Sequence, residues 1–373
     1  MLDGQDGPMV PIPAGDLRES QLLTQSLRIG EEIDEEIALV ISTSGTTGVP
    51  KGAMLTPAAL IASASATHDR LGGAGNWLLA LPAHHIAGMQ VLVRCVLAGT
   101  VPVELDLTDG FDVTELPRAV AQLGSGRRYT SLVANQLAKV LRDPDASAAL
   151  AELDAVLLGG GPAPMPVLDG AAEAGITVVR SYGSSETAGG CVYDGQPLDG
   201  VEVRIDDPDE VGAGRIVIGG LTLAEGYRNP PDPDPFAERG WFHTDDIGAF
   251  DDSGRLAVLG RTDDAISTGG LTVMPGPVET ALSRHPAVDD CAVFGVNDDR
   301  LGQRVVAAVV AMPGVPWPTL EELTEFLALS LDPTAAPREV HFVDELPRRG
   351  IGKIDRSALR QRYSGGEPGA YGW

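Results

Sequence analysis

The chain has 373 residues, 43% of them hydrophobic, which suggests two or three domains with substantial cores. Its formal net charge is −26, from 27 basic and 53 acidic residues. That balance excludes general nucleic-acid binding, which needs a basic face, and docking on an anionic membrane surface. An anionic ligand would need a local site of backbone N–H groups and a few placed cations. Cys95, Cys191 and Cys291 lie far apart and form neither a disulfide framework nor a zinc pattern. The first thirty residues show no signal peptide, and apolar runs such as Val305–Met312 are too short to span a bilayer. A cytoplasmic protein is expected.

Residues 1–30 read as an irregular arm. Glu36–Thr43 reads as a buried strand ending in a Gly-rich turn. Thr56 reads as an N-cap with Pro57 at the first helical position, and the helix runs to about Arg70, stopped by Gly72-Gly73. Asn76–Leu81 reads as a strand, and Ile86–Leu97 as a helix ending at Gly99. Strand-like runs recur at Ala155–Leu158 and Ile176–Arg180. This alternation predicts a layered α/β domain with parallel strands. Val201–Ile205, Arg215–Ile218 and Arg255–Leu259 then predict an antiparallel β subdomain, with a long Pro/Asp-rich loop over Gly226–Gly240. After Arg261 the pattern restarts. A helix near Pro277–Arg284, strands at Cys291–Val296 and Arg304–Met312, a helix at Leu320–Leu331 and a strand at Glu339–Val343 make a compact α+β unit. The expected domains are therefore 1–261 and 262–373, with a mobile Gly-rich tail from Ser364.

The stretch ISTSGTTGVPKG, Ile41–Gly52, carries the strongest chemical signal. It is not the nucleotide P-loop, because Lys51 follows Pro50 and precedes Gly52. It is not GxGxxG either. It can still cradle phosphate: Gly45 and Gly48 let backbone N–H groups turn inward, and Ser42, Thr43, Ser44, Thr46 and Thr47 offer hydroxyls. A strand before it and a helix after it would place it where anion sites form in α/β folds.

Thr43–Gly52 resembles the signature loop of the adenylate-forming superfamily, which includes acyl- and aryl-CoA ligases, luciferases and peptide-synthetase adenylation domains. The resemblance implies that Thr43, Ser44, Gly45, Thr46, Thr47, Gly48 and Lys51 hold the β- and γ-phosphates of ATP. Five more segments resemble segments of the family. SYGSSETAGG, Ser181–Gly190, resembles Tyr-Gly-x-Thr-Glu, with Ser185 at the Thr position. Ser181, Tyr182, Gly183 and Ser185 are then nucleotide contacts, and Glu186 the Mg²⁺ ligand. LGGGPAP, Leu158–Pro164, resembles the segment lining the adenine pocket, with Gly160, Gly161 and Pro162. GWFHTDDIG, Gly240–Gly248, places Asp246 on the ribose aspartate, with Asp245 in place of the usual Gly. In LGRTDDAISTGG, Leu259–Gly270, Arg261 would meet ribose or phosphate and Asp263 is the hinge. Gly269 and Gly270 would face the CoA tunnel, and Leu271 stands where the usual Glu would. LPRRGIGKIDR, Leu346–Arg356, carries the catalytic lysine at Lys353.

The resemblance implies ATP, Mg²⁺ and CoA as cofactor and co-substrates. The sequence does not give the oligomeric state; a homodimer is one expectation. It also implies a large α/β domain with a β subdomain, reduced at its N-terminus, plus a small mobile α+β domain. Glu186, Arg261 and Lys353 would be catalytic.

PAHHIAGMQVLVRCVLAG, Pro82–Gly99, bears on the acid. His85 can line an acyl pocket or be a packed structural histidine. Arg94, among Val91, Leu92, Val93 and Val96, needs a partner or a route for its head to solvent. A second carboxylate on the substrate would be such a partner. His-x-x-Gly followed by this Arg resembles the o-succinylbenzoate–CoA ligases of menaquinone synthesis, and SSETAGGCVYDGQPL with the reduced N-terminus resembles their short actinobacterial form. The acid site would then be His85, Arg94 and Ser181, and the substrate 2-succinylbenzoate. The alternatives are another aryl- or acyl-CoA ligase and an ATP-binding regulator with an inactive site.

Overall fold

The structure is a computed structural model that describes residues 2, 7–13, 15–43, 49–349 and 352–364. The chain divides into two compact units. The first comprises 1–160, 170–244 and 250–256, and the second 161–169, 245–249 and 257–373.

The first unit begins with a helix where an irregular arm was expected. α1 (Leu17–Ser26) is capped by Asp16, whose side chain accepts from the Glu19 N–H at 2.9 Å. Its Leu23, with Leu27 just beyond, packs on Ile37 and Val40. An aspartate N-cap followed by apolar residues four apart was the available signal. β1 (Leu39–Thr43) then pairs antiparallel with β2 (Lys51–Leu55), in a register that ends at Thr43 opposite Lys51. The glycine-rich stretch therefore connects two antiparallel strands, β1 and β2. It is not a strand-to-helix junction, so no helix N-terminus follows it directly. The Gly in Lys51–Leu55 masks that strand in the sequence, because glycine weakens strands. Its cause lies in packing: a Cβ on Gly52 would lie 2.6 Å from Val40 and 2.9 Å from Leu27.

α2 (Pro57–Arg70) starts at Thr56, which accepts from the Ala59 N–H at 3.1 Å. There follow β3 (Asn76–Leu79), α3 (Ile86–Ala98), β4 (Val103–Glu104), α4 (Leu116–Ala121), β5 (Arg128–Val133), α5 (Ala134–Val140) and α6 (Pro144–Ala151). Next come β6 (Ala155–Gly159), α7 (Met165–Glu173), β7 (Val178–Ser184), β8 (Gly189–Tyr193) and β9 (Gln196–Pro197). Among the described residues these strands form a seven-stranded sheet of order β4-β3-β5-β6-β7-β8-β9. The pairs from β4 to β7 are parallel; β7–β8 and β8–β9 are antiparallel. Trp77, Tyr129, Leu157, Val192 and Tyr193 of its strands belong to one buried cluster. The β subdomain is a second sheet of order β10 (Val201–Asp206), β11 (Gly214–Gly220), β12 (Trp241–Phe250) and β13 (Leu256–Arg261). Its first pair is antiparallel, with Val203 opposite Ile218.

The second unit is α+β, as expected. The hairpin β14 (Ile266–Thr268) and β15 (Leu271–Val273) turns on Gly269 and Gly270, both at positive φ (59° and 83°). A two-residue hairpin turn of that hand favours glycine at both positions. α8 (Pro275–Leu282), β16 (Val288–Asp298), β17 (Gly302–Ala311), α9 (Leu320–Leu327) and β18 (Glu339–Phe342) build the core, with β17 central. β19 (Arg348–Arg349), β20 (Lys353–Ile354) and α10 (Arg356–Tyr363) close the described chain. Residues 365–373, most of the expected mobile tail, lie outside the described residues.

An ionic network ties this unit together. Arg356 donates to both oxygens of Glu279 at 2.6 and 2.8 Å and to Asp264 at 3.2 Å. Arg360 donates to Asp264 at 2.6 Å, and the Val293 N–H to Glu279 at 2.7 Å. Burial pushes the Glu279 carboxyl up, and Arg356 opposes that shift. A buried charge left alone is costly, so Arg356→Met should destabilise the chain by about 3–5 kcal/mol. The pair Arg356→Met with Glu279→Leu should recover most of that loss. Urea denaturation of the three proteins checks it; a single variant as stable as the double would refute it.

Candidate active site

The expected site residues are divided between the two units, with Gly161 and Pro162 in the second. In the first unit, Thr43 ends β1 and its hydroxyl is buried with no hydrogen-bond partner among the described residues. Ser44, Gly45, Thr46, Thr47 and Gly48 lie outside the described residues. Lys51 stands across from Thr43, with its ammonium 4.6 Å from the centre of the Tyr227 ring.

Ser181 and Tyr182 lie on β7, and Tyr182 packs in part against the core. The strand is irregular between Tyr182 and Gly183. There the backbones close so tightly that a Cβ on Gly183 would sit 2.2 Å from the Gly189 carbonyl. Ser185, Glu186 and Thr187 form a 3-10 turn that ends at Ala188, a buried non-glycine residue at φ 50°. Such a conformation persists only where the surroundings impose it. Two buried side chains do so: Ser63 of α2 and Gln90 of α3 donate to the Ala188 carbonyl at 2.9 and 2.8 Å. Glu186 itself is 7% exposed, and Tyr227 donates its hydroxyl to Glu186 Oε1 at 2.5 Å. Gly160 follows β6, and Gly161 and Pro162 continue toward α7.

His84 and His85 sit in the turn before α3, with ring centres 4.3 Å apart. Burial holds His84 below the ordinary histidine value, opposed by Glu19. The glycine of His-x-x-Gly has a steric cause: a Cβ on Gly88 would meet the Pro82 carbonyl at 2.4 Å. Arg94 is 3% exposed, so its head does not reach solvent. It lies over the Trp77 ring at 4.8 Å, and its Nη2 makes only long contacts, 3.4 Å to Thr67 Oγ1 and 3.5 Å to the Tyr193 hydroxyl. Its Nε has no partner among the described residues. Burial depresses its pKa, with Tyr193 and Cys95 opposing. Nearby His68 is also held below its ordinary value, by burial first and by Arg94 second.

In the second unit, Arg261 is caught among carboxylates. It donates to Asp263 at 2.9 Å and Asp245 at 3.1 Å, and stands 3.7 Å from Asp246. Asp263 lies in a 3-10 turn, and Lys353 is exposed on β20. The structure thus brings Asp246, Arg261 and Asp263 together.

Residues 11–228 match the AMP-binding enzyme family, and residues 277–353 match the AMP-binding enzyme C-terminal domain. The chain belongs to the AMP-binding enzyme family. Within this family it is 67% identical to a protein named probable 2-succinylbenzoate–CoA ligase from Mycobacterium tuberculosis, over 98% of this chain and 94% of that one. Among solved AMP-binding enzymes it resembles the o-succinylbenzoate CoA synthetase of Bacillus subtilis in complex with the acyl-adenylate intermediate OSB-AMP. That match has a TM-score of 0.74 at 30% identity and covers 90% of this chain and 70% of that one. The same Bacillus enzyme in complex with ATP and magnesium ion matches with a TM-score of 0.72 at 30% identity, over 89% and 72% of the two chains.

The residues present fit a nucleotide with its metal. The Thr43 hydroxyl is a buried donor left over at the root of the loop. Among the described residues no three potential metal ligands cluster. A lone Glu186 suits Mg²⁺, which takes one or two carboxylates and completes its shell with phosphates and water. Tyr227, Ser63 and Gln90 were not foreseen in the sequence, since no motif spacing links them to Glu186. The steric reading of Gly183 has a direct check. Gly183→Ala should lower stability by about 1–3 kcal/mol, measured as a drop in Tm. An unchanged Tm would show that β7 and β8 are not packed this closely.

Proposed function

We propose that this chain is an AMP-forming 2-succinylbenzoate–CoA ligase. The observation that carries the proposal is the 67% identity, over 98% of the chain, to the mycobacterial relative of that name. The reaction has two halves. The substrate's succinyl carboxylate attacks the α-phosphorus of ATP, and pyrophosphate leaves. The CoA thiolate then attacks the acyl carbonyl, and AMP leaves with the bonding pair.

The first half brings anions together, so repulsion is the obstacle. Bound Mg²⁺ supplies charge neutralisation at the phosphates. In this reading Glu186 holds that ion. Thr43 to Gly48 and Lys51 hold the β- and γ-phosphates. Gly160, Gly161, Pro162, Tyr182, Gly183 and Ser185 line the adenosine and α-phosphate, and Asp246 and Arg261 meet the ribose. Asp263 is the hinge between a core of 1–261 and a C-terminal domain of 262–373. Lys353 donates to the transferred groups during adenylation, and Gly269 and Gly270 line the path of the thiol. No protein nucleophile is required, since AMP is a good leaving group. The cysteines agree: Cys95, Cys191 and Cys291 are free and buried, and burial raises all three thiols. Their reduced state also suits the cytoplasm, where we place the enzyme.

The acid is assigned to His85, Ser181 and Arg94. A buried guanidinium with long contacts and a partnerless Nε favours an anion. A second carboxylate on the substrate meets that demand, and a fatty acid does not. The test is a pyrophosphate-release screen over carboxylic acids, with and without CoA. Turnover of 2-succinylbenzoate above benzoate and medium-chain acids is expected, with KM for 2-succinylbenzoate raised at least tenfold in Arg94→Ala, as loss of a charged contact implies. Preference for the simple acids, or an unchanged KM, overturns the assignment. Lys353→Ala should abolish adenylation yet spare thioester formation from supplied acyl-adenylate. Equal loss of both steps would remove its assigned role.

A further inference from the structure

Between β11 and β12 the chain runs as a long loop, and one short part of it lies along β2. The Met54 N–H donates to the Gly226 carbonyl at 2.9 Å, and the Glu225 N–H to the Met54 carbonyl at 2.9 Å. The Arg228 N–H donates to the Gly52 carbonyl at 2.7 Å, and Ala53 and Tyr227 form an antiparallel bridge. Asn229 finishes the pairing with its side chain. Its Nδ2 donates to the Pro50 carbonyl at 2.8 Å, and its Oδ1 accepts from the Gly52 N–H at 3.1 Å. This segment thus lies along the free edge of β2, joined by one isolated bridge and the hydrogen bonds around it. It also reaches the 3-10 turn, since the Ala224 N–H donates to the Glu186 carbonyl at 2.9 Å.

Tyr227 stands where these contacts meet. It is 6% exposed, and Phe236 packs edge-on against its ring at 5.4 Å. Its hydroxyl donates to the Glu186 carboxylate at 2.5 Å, and its ring lies 4.6 Å from the Lys51 ammonium. A carboxylate that accepts one strong bond is fixed in rotation, and its remaining lone pairs point in set directions. A cation held over a ring face is likewise restricted.

We propose that Tyr227 is a positioning residue: it orients Glu186 for a divalent cation and holds Lys51 for the phosphates of the same nucleotide. The proposal rests on the ligase reading only in so far as that reading puts a metal–nucleotide complex here. It does not depend on which acid is used. Tyr227 touches neither cation nor substrate; it acts through the two side chains that do.

The test uses the full chain with a non-hydrolysable ATP analogue. Mn²⁺ is titrated in and free Mn²⁺ is read by electron paramagnetic resonance. Tyr227→Phe, which keeps the ring, should weaken Mn²⁺ binding about tenfold, as outer-shell substitutions do. Affinity for the analogue without metal should stay within about twofold, since the ring near Lys51 remains. Tyr227→Leu, which removes ring and hydroxyl, should weaken both. Melting temperatures of both variants, read alongside, show that each is folded. Unchanged Mn²⁺ affinity in folded Tyr227→Phe overturns the proposal and leaves the ligase reading standing. Equal weakening of metal-free and metal-bound analogue in Tyr227→Phe also overturns it, because that marks a general structural loss. Failure of the unsubstituted chain to bind Mn²⁺ with the analogue overturns both readings.

Discussion

The glycine-rich stretch joins β1 to β2, and the placing of its two ends depends on what holds that two-stranded stem. Here the stem is held on two sides. β1 pairs with β2 up to Thr43 and Lys51, and the segment from Glu225 to Asn229 pairs with β2 from the other edge. The second pairing matters more for chemistry. It anchors the loop's exit at Pro50 and Gly52 and carries Tyr227 to Glu186 in the same few residues. Backbone pairing is what makes this precise.

The strain stored at Ala188 belongs to the same arrangement. Glu186 can face its tyrosine only if the 3-10 turn closes sharply into β8, and closure puts a non-glycine residue at φ 50°. A glycine would adopt that conformation at less cost. The chain instead fixes the carbonyl with Ser63 and Gln90 from two helices. The turn is thereby locked to the packing of α2 against α3. Gly88 allows that packing by letting α3 approach the Leu81–Pro82 backbone. Sequence positions far apart, Ser63, Gly88, Gln90 and Glu186, thus serve one local geometry.

The layered α/β domain, the β subdomain and the α+β unit were legible because they rest on local periodicity and on turn residues. The linear motifs were legible too, since each keeps its chemistry within about ten residues. Three things were not. α1 was hidden because its apolar face is narrow and its surroundings are rich in Pro and Gly. β2 was hidden because Gly52 serves close packing where a strand residue would be expected. Tyr227 and Asn229 were hidden because their partners lie 41 and 179 residues away. Hydrogen bonds across such separations leave no periodic trace in one sequence.

The distribution of charge gives the last step. In a chain of net charge −26, a cation is readily matched by a nearby carboxylate. Arg204 is matched by Asp206 and Glu238, Arg261 by its three aspartates, and Arg356 by Glu279 and Asp264. Arg94 departs from this pattern, since no carboxylate pairs with it among the described residues; two hydroxyls and the Trp77 ring face it, with His68 nearby. Holding a guanidinium in that state costs several kcal/mol, and folding alone gains nothing from it. A well-packed apolar residue would serve the core better. The cost is understandable if an anion arrives to offset it, because the affinity gained is then specific to ligands with a charge at that point. In the proposed reading that charge is the second carboxylate of the acid. In that same proposed reading, the glycine-rich stretch serves adenylate formation and Arg94 the choice of acid.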